Sequence, residues 1–517
     1  METVAEELPK ARATGQPDTA RKQIRGSSLL LLGSVLSAAI NFAAQVFMVR
    51  YLSTKEFGGL AYALSVVAFC QVFSTFGLQK AIPRFVPIYH EKREYGKLFG
   101  TVLLVLGTIL LALAIVTALD SMPRSMFRFM TSEHLPLALL SIMVFLIPIQ
   151  AMDDLLVSLL ASLGSPRTIF LRSYVLAPGL KLAAVLLLIA LRKNVTFLAY
   201  GYLAASALGV AIFAVVLIRQ LHRQGLFQGV TLGSISVPFK EMLAFAIPIL
   251  SSDLVTNVVM NAVAVFMLDY YHNISEVAFY RVAVPAARIN LMVMASFSLL
   301  YTPLAARLFA QNDYDGINSL YWRTTVWMTV LTFPIFAMTF CMARPLVLFL
   351  YGARYEHSAA TLALLSLGCY FNVALGLNGL TLRVFGKLRY ILTVNAISLA
   401  TNVALNLVLI PRYGALGAAI GTAGTMIVLN VFTQVGLRFV PGVSFFDRRY
   451  WVFYVMIALS AAGLFVLQFF TANSIYIAAP LAGLASLGVL AVAKKNLKIA
   501  EAFPELLRLP LAKLIFA

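Results

Sequence analysis

Leu98-Phe99-Gly100-Thr101-Val102-Leu103-Leu104-Val105-Leu106-Gly107-Thr108-Ile109-Leu110-Leu111-Ala112-Leu113-Ala114-Ile115-Val116-Thr117-Ala118-Leu119 runs on without a single charge. The hydrocarbon core of a bilayer is about 30 Å thick, and a helix rising about 1.5 Å per residue crosses it in about 20 apolar residues. This stretch therefore reads as one membrane span. Comparable runs recur along the chain, near 28–50, 59–79, 97–119, 135–161, 173–191 and 197–218. A second set lies near 243–269, 277–303, 321–342, 359–380, 390–410 and 415–436, and two more lie near 451–471 and 474–493. The expectation is an all-α membrane protein with about fourteen transmembrane helices.

Composition agrees. Of 517 residues, 61% are hydrophobic and only 12% charged, where a soluble chain carries about a quarter. Lys and Arg number 40 against 21 Asp and Glu, a formal charge of +19. The bases sit between apolar runs, which points to topology and away from nucleic acid. Counted by alternate loops, 28 of them fall on the side of the two termini and 9 on the other. That bias predicts both termini in the cytoplasm. Cys70, Cys341 and Cys369 show no metal-binding spacing and read as small buried residues.

Residues 1–27 lack an apolar core and read as a cytosolic tail rather than a signal peptide. Residues 219–242 form a basic cytosolic linker, and residues 494–517, opening with Lys494-Lys495-Asn496-Leu497-Lys498, a cytosolic or interfacial tail. Phe47-Met48-Val49-Arg50-Tyr51 matches Phe266-Met267-Leu268-Asp269-Tyr270, and Glu56-Phe57-Gly58 finds its counterpart in Glu276-Val277-Ala278 at nearly the same offset. Six spans separate the copies, and an even number preserves orientation. Two six-helix lobes, 28–218 and 243–436, are therefore expected to be related by a pseudo-two-fold axis along the membrane normal, around a central cavity. Spans thirteen and fourteen (451–493) are added after them.

Three segments carry a family resemblance. They are Arg50-Tyr51-Leu52-Ser53-Thr54-Lys55-Glu56-Phe57-Gly58-Gly59-Leu60-Ala61-Tyr62, Leu350-Tyr351-Gly352-Ala353-Arg354-Tyr355, and Asn406-Leu407-Val408-Leu409-Ile410-Pro411-Arg412-Tyr413-Gly414-Ala415-Leu416-Gly417-Ala418-Ala419. With them the chain resembles the multidrug/oligosaccharidyl-lipid/polysaccharide exporter superfamily, particularly its polysaccharide (O-antigen type) flippase branch. The resemblance covers nearly the whole chain. It implies alternating access and a lipid-diphosphate-linked oligosaccharide as substrate, in polysaccharide (lipopolysaccharide-type) biosynthesis at a bacterial inner membrane. The implied partners are that substrate, membrane lipids, Na+ or H+ as coupling ion, and other polysaccharide-assembly proteins.

Ionisable residues inside spans face a bundle interior or watery cavity, because lipid exposure costs a few kcal/mol or more. Arg281 and Arg288, seven apart in span eight, share a helical face, and a diphosphate needs cations of this kind. Lys181 lies mid-depth in span five, placed to bind phosphate or to pair with a carboxylate of a neighbouring helix. Arg50 ends span one, as an interfacial anchor or at the cavity mouth. These four are the substrate-binding candidates. Asp153 and Asp154 in span four point about 100° apart, so at most one can face Lys181; a salt bridge and proton carriage are the two readings.

Asp253, Asn257 and Asn261 step along one face of span seven. Flippases of the lipid II type carry a cation site joining spans seven, eleven and twelve, and the spacing of Asn402, Asn406 and Thr422 here resembles it. Oxygen ligands suit a hard monovalent cation at Asp253, although Asn406 stands where an acid is expected; interhelical hydrogen bonding is the other reading. Pro148, Pro178, Pro248, Pro285 and Pro334 fall inside spans, as hinges or static kinks.

No phosphate loop, zinc-protease, nucleophile-elbow or nucleotidyl motif occurs, so the expectation is a transporter with no cofactor rather than an enzyme. Two rival readings remain. A drug/cation antiporter of the same superfamily would want an acidic cavity. A polysaccharide polymerase or ligase would want a large outer loop with catalytic Arg or His.

Overall fold

The computed structural model describes residues 16–121, 134–163, 166–223, 235–253, 260–447, 450–468 and 474–497, and every regular element among them is a helix. In the first half these are α1 (Gln16–Tyr51), α2 (Thr54–Ser74), α3 (Ile82–Glu91), α4 (Tyr95–Asp120), α5 (His134–Met143), α6 (Leu146–Leu163), α7 (Pro166–Ile169), α8 (Ala177–Ala190) and α9 (Val195–Arg223). The second half holds α10 (Phe239–Asp253), α11 (Met260–Tyr271), α12 (Ile274–Arg288), α13 (Leu291–Ala310), α14 (Tyr314–Phe336), α15 (Ala343–Tyr351), α16 (Ser358–Ala374), α17 (Asn378–Val384) and α18 (Leu388–Gly436), followed by α19 (Trp451–Leu467) and α20 (Ile475–Leu497). Residues 1–15, residues 224–234 of the linker and the tail beyond 497 lie outside the described residues.

Nine described helices are long and apolar enough to cross a membrane, and the pair α5–α6, bent by 40°, makes a tenth. The bend falls four residues before Pro148, which cannot donate to the carbonyl of Val144. Length alone does not reach the expected fourteen, for two reasons. Some apolar helices are short (Ala262–Tyr271, Trp451–Leu467, Ile475–Ala491), and α18 runs on through a reversal. At about 1.5 Å per residue, its 49 residues would extend about 74 Å, more than twice the hydrocarbon thickness. Its own contacts resolve this. Asn402 donates to Thr425 at 3.2 Å, and Leu405 meets Gly424 and Leu409 meets Gly417. These pairs nest around Gly414, whose φ of 55° and ψ of −131° are non-helical. The expected spans 390–410 and 415–436 are thus two arms of a helical hairpin.

Elements of each half pack chiefly on one another: α8 on α1 and α9, α6 on α3, α4 and α9, then α16 on α14, α12 and α18. Helices α19 and α20 pair together beside α14. The halves meet mainly through α2 and α12, which begin alike. Ser53 caps α2 in a reciprocal capping box with Glu56, and Asn273 Oδ1 accepts from the amides of Ser275 and Glu276 at the start of α12. The offset between these two caps is also the offset between Gly58 and Ala278, which touch each other across the interface. Equivalent residues meet only near an axis relating them, so the repeat axis passes between α2 and α12.

Gly58 is held to that size. A Cβ there would overlap the carbonyl oxygen of Ile274. Overpacking typically costs about 1–3 kcal/mol. Gly58→Val is therefore expected to lower thermal stability in detergent by about that much. Gly107→Val, where an added Cβ meets nothing within 4 Å, should change stability by less than about 0.5 kcal/mol. Equal melting curves for the two variants would refute the close approach.

Candidate functional site

A cavity of about 520 Å³ opens between the halves, walled by α1, α2, α6, α8 and α9 on one side and by α12 and the start of α13 on the other. Lys181 from α8 and Arg281 and Arg288 from α12 all line it. The remaining polar groups of its lining are Asn41, Gln45, Gln150, Tyr202 and Ser206, and none of the lining residues is acidic. Among the described residues, neither Lys181 nor Arg281 has a carboxylate within ion-pair range. Cations from both halves thus face one chamber whose own lining includes no acidic residue. The volume lies within the range of small-molecule sites, about 300–1,000 Å³.

A second cavity of about 300 Å³ lies within the first half, and Lys181, Gln150 and Ser206 line both. Its walls include Asp153, Asp154 and Arg172. The charge pairing differs from the salt bridge considered for Lys181. Asp153 pairs with Arg172, whose side chain is only 4% exposed and stacks over Phe213 with its guanidinium carbon 5.2 Å from the ring centre. Asp154 instead accepts from the side-chain amides of Gln71 at 2.9 Å and Gln79 at 3.4 Å. Arg172 escaped the sequence reading because the apolar run of span five was counted from Ser173. The helix begins earlier, through a π-helical segment Phe170–Leu176 just before Pro178. The available signal was an arginine set between two largely apolar stretches, Ile169-Phe170-Leu171 before it and Tyr174-Val175-Leu176 after Ser173.

Arg50 does not line the cavity. Its guanidinium donates to the carbonyls of Phe349 and, at 2.8 Å, Leu350, at the end of α15. Arg354 answers from the other half, donating to the carbonyls of Arg50 at 2.7 Å and Leu52 at 3.2 Å. Each arginine thereby satisfies orphan carbonyls at the other's helix end, and together they clasp the two halves.

The oxygen-rich candidates are divided. Asp253 closes α10, and its side chain lies outside the described residues, as does Asn257. Asn402 and Asn406 are fully buried and hydrogen-bonded to each other at 3.0 Å. Thr422 is turned away from them to the hydroxyl of Tyr280, 3.0 Å distant. Thr425, three residues further along the arm, meets Asn402 instead. Among the described residues no group of three or more His, Cys, Asp or Glu could hold a metal, and none of the three cysteines is in a disulfide.

Comparison with known proteins follows this geometry. The family model described as "Polysaccharide biosynthesis protein" matches residues 24–309, and the one described as "MatE" matches residues 248–408. The uncharacterized membrane protein MJ1068 of Methanocaldococcus jannaschii is 20% identical over 478 residues, covering 85% of this chain and 88% of that protein. Among solved structures, the lipid II flippase MurJ in an inward closed conformation matches with a TM-score of 0.69 at 16% identity, over 90% of this chain and 98% of that one. An inward-facing multidrug resistance transporter of the MATE family matches with a TM-score of 0.61 at 14% identity, over 78% of this chain and 94% of that one.

Proposed function

Since this chain belongs to the polysaccharide biosynthesis protein family, within the multidrug/oligosaccharidyl-lipid/polysaccharide exporter superfamily, we propose that it is a flippase for a lipid-diphosphate-linked oligosaccharide. The observation that carries this reading is the charge of the central cavity: Lys181, Arg281 and Arg288 converge from both halves, and no lining residue is acidic. A cation-exporting chamber needs the opposite sign, because burying a cation beside three others is costly. A diphosphate meets bidentate guanidinium donors and a point-charge ammonium, the groups best suited to phosphate oxygens.

In the proposed cycle the diphosphate enters from the cytosolic leaflet and rests against Arg281, Arg288 and Lys181. The two six-helix lobes then rock about the α2–α12 contact, parting the Arg50–Arg354 clasp and exposing the sugar on the outer face of a bacterial inner membrane, with both termini cytoplasmic. The membrane potential acts on any net charge that moves, at about 2.3 kcal/mol per charge per 100 mV. Asp153 and Asp154, in a cavity that shares Lys181 with the central one, and the Asp253–Asn402–Asn406 region are the candidates for coupling to H+ or Na+.

Deleting the protein from its host should accumulate the lipid-linked saccharide on the cytosolic leaflet, and purified protein in proteoliposomes should move a labelled lipid-diphosphate saccharide between leaflets. Normal leaflet distribution after deletion, together with no transfer in vesicles, would overturn the reading.

A further inference from the structure

We propose that the first half carries a saccharide-binding pocket on the face opposite the chain termini, which holds the sugar of the translocated molecule after its transfer; this rests on the function proposed above. The pocket encloses about 510 Å³ between Asp120 at the end of α4, the body of α5 and the first turns of α9. Its polar walls are Asp120, Ser141, Thr196 and Tyr200, with Phe145 and Leu203 among the apolar ones. The hydroxyl of Tyr51, which ends α1, donates to the carbonyl of Lys193 at 3.0 Å, just before α9 starts. The pocket therefore lies on the same face as the Arg50–Arg354 clasp. Helix α9 also separates it from the central cavity: Thr196, Tyr200 and Leu203 share one side of the helix, while Tyr202 and Ser206 line the central cavity from another.

Three observations support a sugar in this place. First, Asp120 belongs to the inward stripe of its helix. The buried positions of α4 include Val105, Ile109, Ala112 and Val116, and Asp120 is the next step of that series, which turns its carboxylate toward α5 and α9 instead of the lipid. An ionised carboxylate accepts hydroxyl hydrogens through both oxygens, and such charge-assisted bonds are the strong ones.

Second, the remaining walls match the mixed surface of a sugar ring. Ser141 donates to the carbonyl of Ala138 at 2.9 Å and keeps lone pairs with which to accept, and the Thr196 hydroxyl can do either. Tyr200 is 56% exposed and offers a flat apolar ring beside a polar hydroxyl, suited to the C–H face of a sugar and its substituents. Tyrosines are common at membrane interfaces, but an interfacial belt needs neither an inward-facing acid nor a pocket of this size. Third, the charge disfavours the other groups found at that level of a membrane. No lining residue is a cation, so the phosphate of a phospholipid, or the cargo's own diphosphate, finds no partner and meets Asp120 as a like charge. A neutral polyol satisfies the carboxylate, the hydroxyls and the aromatic face together.

The test uses the full chain in nanodiscs, with saturation-transfer NMR on the methyl glycosides of glucose, galactose, mannose and N-acetylglucosamine as probes and empty nanodiscs as blank. At least one glycoside should bind. Asp120→Asn and Tyr200→Ala should each weaken that binding about tenfold, and Tyr200→Phe, which keeps the ring, should weaken it less than Tyr200→Ala. Should either of the first two variants fail to insert, Thr196→Trp reads the same pocket by filling it. Farnesyl diphosphate carrying the same sugar should displace the glycoside, and farnesyl diphosphate without a sugar should not. No glycoside binding, binding that the variants leave intact, or no displacement by the sugar-bearing lipid would each overturn the pocket. The function proposed above stands or falls separately, on whether the parent protein moves a labelled lipid-diphosphate saccharide between leaflets in proteoliposomes; without that movement the pocket loses its cargo as well.

Discussion

Replacing Arg281 and Arg288 together by glutamine is expected to abolish translocation while the protein still inserts and melts normally. The two side chains sit seven residues apart on α12 and line the same cavity. Glutamine keeps the stem and can still donate a hydrogen bond, but it removes two charges from the lining of the cavity. Hydrogen bonds to charged groups contribute about 1.5–3 kcal/mol each. Losing one at each position weakens diphosphate binding by about 3–6 kcal/mol if the effects add, or more than a hundredfold. Stability should not fall in parallel, because clustered like charges destabilise an empty cavity and their removal relieves that repulsion. Arg281→Lys with Arg288→Lys keeps the charge without the bidentate geometry and should retain part of the activity. The measurement is leaflet exchange of a labelled lipid-diphosphate saccharide in proteoliposomes; an unchanged rate in the double glutamine variant would take both residues out of the mechanism.

What could be read from the chain alone divides by the range of the interaction. Long uncharged runs such as 98–119 and cations stranded inside apolar segments are local signals, and Lys181, Arg281 and Arg288 do line one cavity. The offset between the two halves was also legible, because Phe47–Tyr51 is matched by Phe266–Tyr270, and the caps Ser53 and Asn273 fall at nearly the same offset. Arg172 was hidden by a π-helical segment, since a 3.6-residue count does not describe the turn that carries it. Thr425 replaced Thr422 because periodicity ranks faces within one arm of α18 without saying which face the other arm of a hairpin covers. Arg50 had no signature at all. Its partners are backbone carbonyls in the opposite half of the chain, and a carbonyl acceptor leaves no trace in residue type.

Gly414→Ala is expected to destabilise the second half by about 2–4 kcal/mol, read as a lowered melting temperature of the purified protein. Two costs combine. The backbone at φ 55° and ψ −131° is one that residues with a Cβ rarely adopt, at about 1–3 kcal/mol. The added Cβ would also overlap the Glu276 carboxylate, which accepts from the amide of Ala415 at 2.6 Å. That carboxylate comes from α12 and caps the second arm of α18, offsetting the positive end of its dipole. Counting back by the offset that separates Asn273 from Ser53, the equivalent position in the first half is Asn194, whose own side chain caps α9 through the amide of Phe197. The second half has given up that local cap so that α12 can hold the hairpin turn, which ties the helix bearing Arg281 and Arg288 to the arms bearing Asn402 and Thr425. In a Glu276→Ala background the overlap is gone and only backbone strain remains. Gly414→Ala should then cost about 1 kcal/mol less than in the parent protein. An undiminished cost would mean that Glu276 does not hold the turn, and α12 would lose its link to the hairpin.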